Sequence, residues 1–176
     1  MGTQPMAGVS RVIAEMVKGK TEFDAELGKM VAGAIAKSFN VKPEDVAILK
    51  LSPNAKQLEF VVPEKLGKIG TIPLTSTRAL AVRTLRDKRA EFINNFQAAE
   101  HHTVFEAVKL TKEGADPIQK ILSVPIMAEG KAEGVIQVSR KGKSPGAAGA
   151  DFATQDSTNL AQIAAALGPC LKPAEK

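Results

Sequence analysis

The sequence predicts an α+β fold in which helices pack against a largely antiparallel sheet. Two observations indicate this class. Two pairs of strand-like segments are each joined by a short turn, which is the pattern of β-hairpins. Amphipathic segments with helical spacing lie at both ends of the chain, where they can cover one face of the sheet. The last third combines both features, because a hairpin over residues 121–139 leads through a loop of small residues into a helix over about 151–171.

The N-terminal part is predicted to be helical. Apolar residues from Met6 to Val17 recur at helical spacing and indicate an amphipathic helix of about 13 residues. A second helix follows, for which Thr21 is the predicted N-cap and Asn40 the predicted left-handed stop. We therefore divide the chain into an N-terminal helix at 1–20, one domain at 21–172 and a tail at 173–176.

The middle of the chain is predicted to form a hairpin and then a series of short elements. Residues 46–51 and 57–62 alternate as strands do, and a turn sequence containing Ser-Pro-Asn joins them. Ile72 and Leu74 indicate a short strand, after which Thr75-Ser76-Thr77 are predicted to cap a helix. The remaining predicted elements are that helix over 79–85, a short strand over 90–93 and a short helix over 103–110.

Composition restricts the class of protein. The chain has 176 residues, of which 44% are apolar, and a single cysteine, Cys170. One cysteine permits neither an internal disulfide nor a cysteine-based metal cluster, and we interpret Cys170 as a small apolar residue on a helix. No apolar run approaches the ~20 residues of a membrane helix, and Arg11, Glu15 and Lys18 interrupt the N-terminal segment. We therefore expect a cytoplasmic protein with no membrane partner and no metal.

The net charge of +5 raises the question of an anionic partner. The densest group of cations consists of Arg78, Arg83, Arg86, Lys88 and Arg89. Asp87 and Glu91 lie within this stretch, and nucleic-acid platforms usually add exposed aromatic side chains for stacking. These features favour a solvated helix face, so nucleic acid is not an expected partner. Anion binding by this stretch stays open as the alternative.

Several segments agree in order and spacing with those of one family. They are the short strand 70–74 leading into a helix, the strand 92–95, the final hairpin with Val-Pro-Ile at 124–126 and Gly-Val-Ile at 134–136, and Phe152 four residues before Asp156. In this order they resemble the GAF domain family. The resemblance covers roughly residues 21–171.

This resemblance implies a profilin-like sheet of about six antiparallel strands with helices on both faces. Helices from the two chain ends would pack on one face and form a homodimer, and the other face would enclose a small-molecule pocket. Known members bind cyclic nucleotides, haem, bilins or other metabolites. We therefore expect a non-catalytic sensory or regulatory domain that binds an unidentified small molecule and signals through a dimer or a partner. The alternative is a protein–protein interaction module with no ligand.

The resemblance places the pocket between residues 78–105 and the strands that carry Ser123 and Gln137. Arg78 and Arg83 would neutralise an anionic ligand, hydroxyl side chains would hydrogen-bond it and phenylalanines would stack on it. Core packing of these rings is the alternative interpretation. The candidate ligand-binding residues are Thr75, Ser76, Arg78, Phe92, Phe96, His101, Phe105, Ser123 and Gln137.

Chemistry beyond binding finds little support in the sequence. His101 and His102 are the only histidines; haem ligation by one of them is possible within the family, but a surface position in a loop is the simpler interpretation. The sulfoxide reductases of the family use several cysteines, whereas Cys170 has no resolving partner. No convincing pair of catalytic carboxylates is present, so we expect no catalytic residues.

One motif is only partly retained. The family's cyclic-nucleotide branch has Asn-Lys, then Phe, then Asp-Glu, and this chain offers Ser139-Arg140-Lys141, Phe152 and Asp156-Ser157. We interpret these residues as structural. Arg140 or Lys141 would pair with Asp156 and fasten the hairpin to the last helix, and Phe152 would fill the core. If exposed, such a pair would add only ~0.2–1 kcal/mol to stability.

Overall fold

The computed structural model describes residues 6–96 and 117–171. The strands in these residues are β1 (Val46–Leu51), β2 (Gln57–Val62), β3 (Thr71–Pro73), β4 (Glu91–Ile93), β5 (Ile118–Ala128) and β6 (Lys131–Lys141). The α-helices are α1 (Met6–Val17), α2 (Ala25–Phe39), α3 (Glu64–Ile69), α4 (Leu80–Asp87) and α5 (Thr154–Leu171). Short 3₁₀ turns lie at Pro43–Asp45 and Gly146–Ala148.

The strands form one sheet with the order β3-β2-β1-β6-β5-β4. Every neighbouring pair runs antiparallel, which confirms the predicted α+β class. Because side chains alternate along a strand, the sheet has two distinct faces. We name the face that packs against α1, α2 and α5 the terminal-helix face. The opposite face packs against α4, and we name it the α4 face.

The terminal-helix face carries the larger core. Ile48, Val124 and Ile136 project from the central strands into it and are fully buried. The helices contribute a continuous apolar stripe, in which full burial of each aliphatic side chain is worth about 1.5–3 kcal/mol. The stripe comprises Val9, Ile13 and Val17 of α1, Val31 and Ile35 of α2, and Leu160, Ile163 and Leu167 of α5. Helix α1 therefore belongs to the same core as the sheet.

Both predicted hairpins are confirmed. The bounds of β1 and β2 match the predicted strands, and Asn54 orders the turn between them by accepting hydrogen bonds from Ser52 Oγ at 2.6 Å and Lys56 N at 3.0 Å. Strands β5 and β6 extend beyond the predicted bounds. Glu129 and Gly130, which connect them, both have positive φ (52° and 81°). This pair of conformations is that of a type I′ turn, which matches the twist of the flanking strands.

The helix ends show one confirmed and two wrong predictions. Asn40 ends α2 in the left-handed conformation, with φ 57° and ψ 48°. The N-cap of α2 is Asp24 rather than Thr21, because the Asp24 carboxylate accepts a hydrogen bond from Leu27 N at 2.9 Å. Helix α4 begins after Ala79, which makes no side-chain cap bond, so Thr75-Ser76-Thr77 do not cap it.

Helix α3 was not predicted, because Gly67 and Gly70 indicate a break in the chain. Gly67 is selected by packing instead, since a Cβ there would lie 3.0 Å from the carbonyl oxygen of Phe60. The predicted helix over 103–110 lies outside the described residues. Within 6–96 and 117–171, no helix has the length and apolar character needed to cross a membrane.

Candidate functional site

Helix α4 lies across the face of the sheet that the sequence associates with a ligand. Leu80, Ala81, Val82, Thr84 and Leu85 form its buried side. Its sequence predicts this placement, because apolar residues recur at helical spacing while arginines occupy the other side. The strands beneath it present mostly apolar residues, such as Leu49 and Val135. Polar side chains on this face are therefore the exceptions that need an explanation.

A row of polar residues crosses the α4 face. Gln137 of β6 pairs with Ser123 of β5, and Ser123 pairs with Glu91 of β4. Directly paired residues on antiparallel strands point to the same side of the sheet. Ser123 is 0% exposed and Gln137 is 5% exposed. The structure thus brings together two of the residues predicted for the site and adds Glu91.

The hydrogen bonds around Ser123 have a defined direction. The Thr84 hydroxyl donates its proton to Leu80 O at 2.9 Å. The 2.7 Å contact between Thr84 Oγ1 and Ser123 Oγ must therefore use the proton of Ser123. Gln137 Nε2 in turn donates to Ser123 Oγ at 3.3 Å. The result is a buried chain of donors that runs from Gln137 through Ser123 and Thr84 to the backbone of α4.

Arg83 is already neutralised by Glu91. Arg83 Nε donates to Glu91 Oε1 at 2.9 Å, and Arg83 Nη2 contacts Glu91 Oε2 in a second bond of the same pair. Such a bidentate pair fixes both side chains, since the guanidinium and carboxylate planes match. In this arrangement the Glu91 carboxylate therefore already balances the charge of Arg83.

A cleft adjoins the polar row. It lies between β1, β5, β6 and α3, and its volume is about 30 Å³. That is room for roughly two water molecules, far below the ~300–1,000 Å³ of typical ligand pockets. Its polar lining consists of Glu44, Asp45, Gln137, Ser139 and Lys141. Its apolar lining consists of Ala47, Phe60, Pro63, Leu66, Ile118 and Ile121.

The other predicted site residues occupy different places. Phe96 is fully buried on the α4 face and packs with Leu80, Ile118 and Ile121, two of which line the cleft. Phe92 packs against the terminal-helix core, on the opposite face from Ser123.

Three more precede α4 in a turn that does not line the cleft, and two lie outside the described residues. Thr75 and Arg78 are exposed, and Ser76 is half-buried with its carbonyl accepting from Ala79 N at 2.9 Å. The two outside are His101 and Phe105.

Sequence reasoning missed Thr84 and Glu91. Thr84 lies four residues after Leu80, so helical spacing alone places it on the buried side of α4. A lone hydroxyl on an apolar helix face is a signal that could have identified it. Glu91 was interpreted as part of a solvated charge cluster, and only the register of β4 against β5 shows that it shares a row with Ser123.

The motif around Phe152 is structural, as predicted, although the partners differ. The Arg140 guanidinium lies 4.4 Å from the Phe152 ring centroid and donates to Ala150 O at 2.8 Å and Phe39 O at 3.0 Å. Burial lowers the pKa of Arg140, and the charge of Asp156 opposes that shift. Lys141 forms its ion pair with Asp45 at 2.9 Å rather than with Asp156.

The cysteine of the chain is buried away from the cleft. Cys170 is 3% exposed, lies in the terminal-helix core and donates to Leu167 O at 3.2 Å. Burial raises the pKa of its thiol, which reduces the fraction of reactive thiolate. Within 6–96 and 117–171, no three His, Cys, Asp or Glu side chains gather in a way that could hold a metal ion.

Sequence comparisons give no relatives, whereas structural comparisons give many. No model of a known protein family matches the chain, and no curated protein sequence matches it. The GAF domain of an Acinetobacter phosphoenolpyruvate-protein phosphotransferase is similar with a TM-score of 0.69 and 18% identity, over 97% of this chain and 94% of that one. The corresponding domain from Coxiella burnetii gives 0.70 and 11%, over 96% and 93%.

The similar structures include an enzyme. The free methionine-R-sulfoxide reductase of Neisseria meningitidis, solved with its substrate, has a TM-score of 0.66 and 14% identity, over 94% of this chain and 87% of that one. The same fold therefore occurs both in GAF domains of larger proteins and in an enzyme. At these identities the likeness shows the fold alone. On strand order, helix placement and these similarities, the chain has the GAF domain fold.

Proposed function

We propose that this protein is a sensory or regulatory domain that binds a small molecule on the α4 face of its sheet and does not transform it. The observation that carries the proposal is the polar row beside the cleft, in which Ser123 and Gln137 are buried and Glu91 is half-buried. Burying polar groups costs stability unless they are fully hydrogen-bonded, and an apolar row would pack equally well. A row of donors and acceptors in the sheet is what orientation of a polar ligand requires.

Ligand binding in this proposal requires the cleft to open. A volume of about 30 Å³ excludes a metabolite. A ligand that binds only the open form shifts the equilibrium towards it, by as much as its affinity for the two forms differs. The α3 side of the cleft, with Pro63 and Leu66, would then move relative to the sheet, and this motion would be the signal. Thr75, Ser76, Arg78, Phe96, His101 and Phe105 remain predicted contacts of the opened pocket.

A binding role is favoured over sulfoxide reduction because of the thiol count. Reduction of a sulfoxide consumes two electrons, which thiols supply by forming a disulfide. This sequence contains one cysteine, Cys170. It lies on the terminal-helix face, away from the cleft, and its raised pKa disfavours attack. One buried thiol therefore cannot both attack a sulfoxide and resolve the product within this chain.

Mass spectrometry tests the proposal directly. The mass of the native protein is compared with the denatured mass, and thermal shifts are recorded with a panel of nucleotides, amino acids and organic acids. Ser139→Leu fills the cleft, while Ser144→Leu makes the same change in an exposed loop. We expect a retained or added ligand that Ser139→Leu loses and Ser144→Leu keeps. A ligand kept by both variants, or no ligand from the panel, would overturn the proposal.

A second candidate function is an interaction module that dimerises through its terminal helices. The observation that favours it is the exposure of Val12 of α1 and Met30 of α2, each 52% exposed. Light scattering of the wild type and of Val12→Asp/Met30→Asp tests it. A dimer that this pair of substitutions converts to a monomer supports the module. A wild-type monomer at all concentrations contradicts it.

A further inference from the structure

A groove at the C-terminal end of α4 lies apart from the ligand cleft and shares no lining residue with it. Its volume is about 370 Å³, and it is open along one side. Leu74, Val82, Leu85 and Ala132 form an apolar floor. Arg86, Lys88 and Lys131 form its rim.

The two walls of the groove are held together. One wall is the end of α4, where Lys88 takes the left-handed conformation that stops the helix. The other is the β5–β6 turn at Glu129 and Gly130, whose type I′ geometry fixes the position of Lys131. Lys88 Nζ donates to Gly130 O at 3.4 Å and links the walls. The groove therefore lies between two regular features of the fold, the end of α4 and the β5–β6 turn.

Stabilisation of α4 explains only two of the three cations on the rim of the groove. Cations near a helix C-terminus interact favourably with its dipole, which accounts for Arg86 and Lys88. It does not account for Lys131, which comes from a different element and faces the same groove. Arg86 pairs with Asp87 at 3.3 Å, but among residues 6–96 and 117–171 neither Lys88 nor Lys131 forms a salt bridge. Asp87 and Glu133 offset part of this charge, but the lining of the groove itself contains three cations and no carboxylate above its apolar floor.

We propose that this groove docks an acidic amphipathic peptide segment of a partner protein. Apolar side chains on one side of such a segment cover Leu74 and Ala132, which are half-buried in the isolated chain. Its carboxylates meet the three basic side chains of the rim, a complementarity that sets specificity and speeds association. An open groove suits a peptide that inserts a few side chains. It would leave much of a fatty acyl chain in contact with water.

The test uses a random peptide library displayed on phage and selected against the whole chain. Peptides enriched in Asp and Glu with interspersed Leu, Met or Phe are the expected outcome. They are then synthesised, and their binding is measured by fluorescence anisotropy. Arg86→Glu/Lys131→Glu reverses the rim charge, and Lys42→Glu/Lys143→Glu makes the same charge change on exposed residues outside the groove. We expect the first pair to weaken binding about tenfold or more, with the second close to wild type.

Four outcomes would overturn the proposal. The first is that no peptides are enriched. The second is that enriched peptides bind both charge-reversed pairs equally. The third is that phosphatidylserine vesicles bind in a way that depends on Arg86 and Lys131 while acidic peptides do not, which would assign the groove to an anionic lipid surface. Ala132→Phe fills the floor without changing charge. Peptide binding that survives this substitution would also contradict docking in the groove.

Discussion

The side-chain amide of Asn94 pairs with the backbone of Phe152 in both directions. Asn94 Nδ2 donates to Phe152 O at 3.0 Å, and Asn94 Oδ1 accepts from Phe152 N at 2.8 Å. This pairing joins the end of β4 to Phe152, whose ring is buried in the core just before α5 begins. Arg140 completes the junction by stacking on the Phe152 ring. The loop after β6 is therefore attached to the sheet at its far edge.

Replacing Asn94 should destabilise the fold. Asn94→Ala leaves the N–H and C=O of the buried Phe152 without these partners, and an unsatisfied buried group costs about 1–3 kcal/mol. We expect a loss of that size in the free energy of unfolding measured with urea. Asn95→Ala changes the exposed neighbour and should have little effect. Similar losses in both variants would contradict a specific role for the Asn94 pairing.

Two glycine-to-alanine substitutions in helices should have opposite effects. A Cβ at Gly168 of α5 would lie 2.3 Å from Met127 O, whereas one at Gly33 of α2 meets nothing within 4 Å. Gly168→Ala should destabilise by about 1–3 kcal/mol through overpacking. Gly33→Ala should stabilise by roughly 0.5–1 kcal/mol, since alanine loses less chain entropy in a helix. Thermal unfolding of both variants checks the sign; a stabilising Gly168→Ala would mean that α5 can shift away from β5.

The hydrogen-bond chain of the α4 face should behave as one unit. Thr84→Val and Ser123→Ala each remove one member of the chain and should each cost about 1–3 kcal/mol. The double variant should cost less than the sum, with a coupling energy of ~0.5–3 kcal/mol. Urea unfolding of the four proteins measures this coupling. As a control, the losses of stability from Thr84→Val and Ser144→Ala should add when the two are combined. If the losses from Thr84→Val and Ser123→Ala also add, Thr84 and Ser123 do not interact.

Glu133 should make stability depend on pH. Burial raises its pKa above the ordinary value of 4.5, and the charge of Lys131 opposes the shift. The folded state therefore binds the proton more tightly than the unfolded state does. The associated stability is present below pH 4.5 and is lost as pH rises through the raised pKa.

Measurements at two pH values check this dependence. Glu133→Gln should increase the free energy of unfolding relative to wild type at pH 8, and this advantage should shrink at pH 4. Lys131→Met removes the opposing charge and should enlarge the loss seen in the wild type on raising pH. An effect of Glu133→Gln that is the same at both pH values would contradict the role of burial.

Local chemistry made parts of the fold predictable. Strands β1 and β2 agree with their predicted bounds because alternation is interrupted by strong turn residues on both sides. Asn40 was predicted because asparagine tolerates the left-handed conformation that ends α2. Helix α3 was missed for the converse reason. Gly67 allows α3 to approach the backbone of Phe60 closely. This requirement comes from tertiary packing, so the local sequence pattern does not reveal it.

The site was predictable only where residues lie on long strands. The family resemblance placed Ser123 and Gln137 on the strands beneath the pocket, and the structure pairs them directly across β5 and β6. Phe92 lies on a strand of three residues, where the choice of face depends on pairing with β5. The pairing of Arg83 with Glu91 joins the middle of α4 to strand β4. Such pairings depend on tertiary structure, which a single sequence does not display.

The order of the strands has a consequence for how the chain folds. Strand β1 pairs with β6 at the centre of the sheet, with Val46 opposite Val138. The first hairpin therefore presents an unpaired apolar edge until the last hairpin has been synthesised. Long-range pairing of this kind raises contact order and slows folding. During translation most of the domain would leave the ribosome before β1 can pair with β6. Aggregation or binding to a chaperone would compete with folding during this interval.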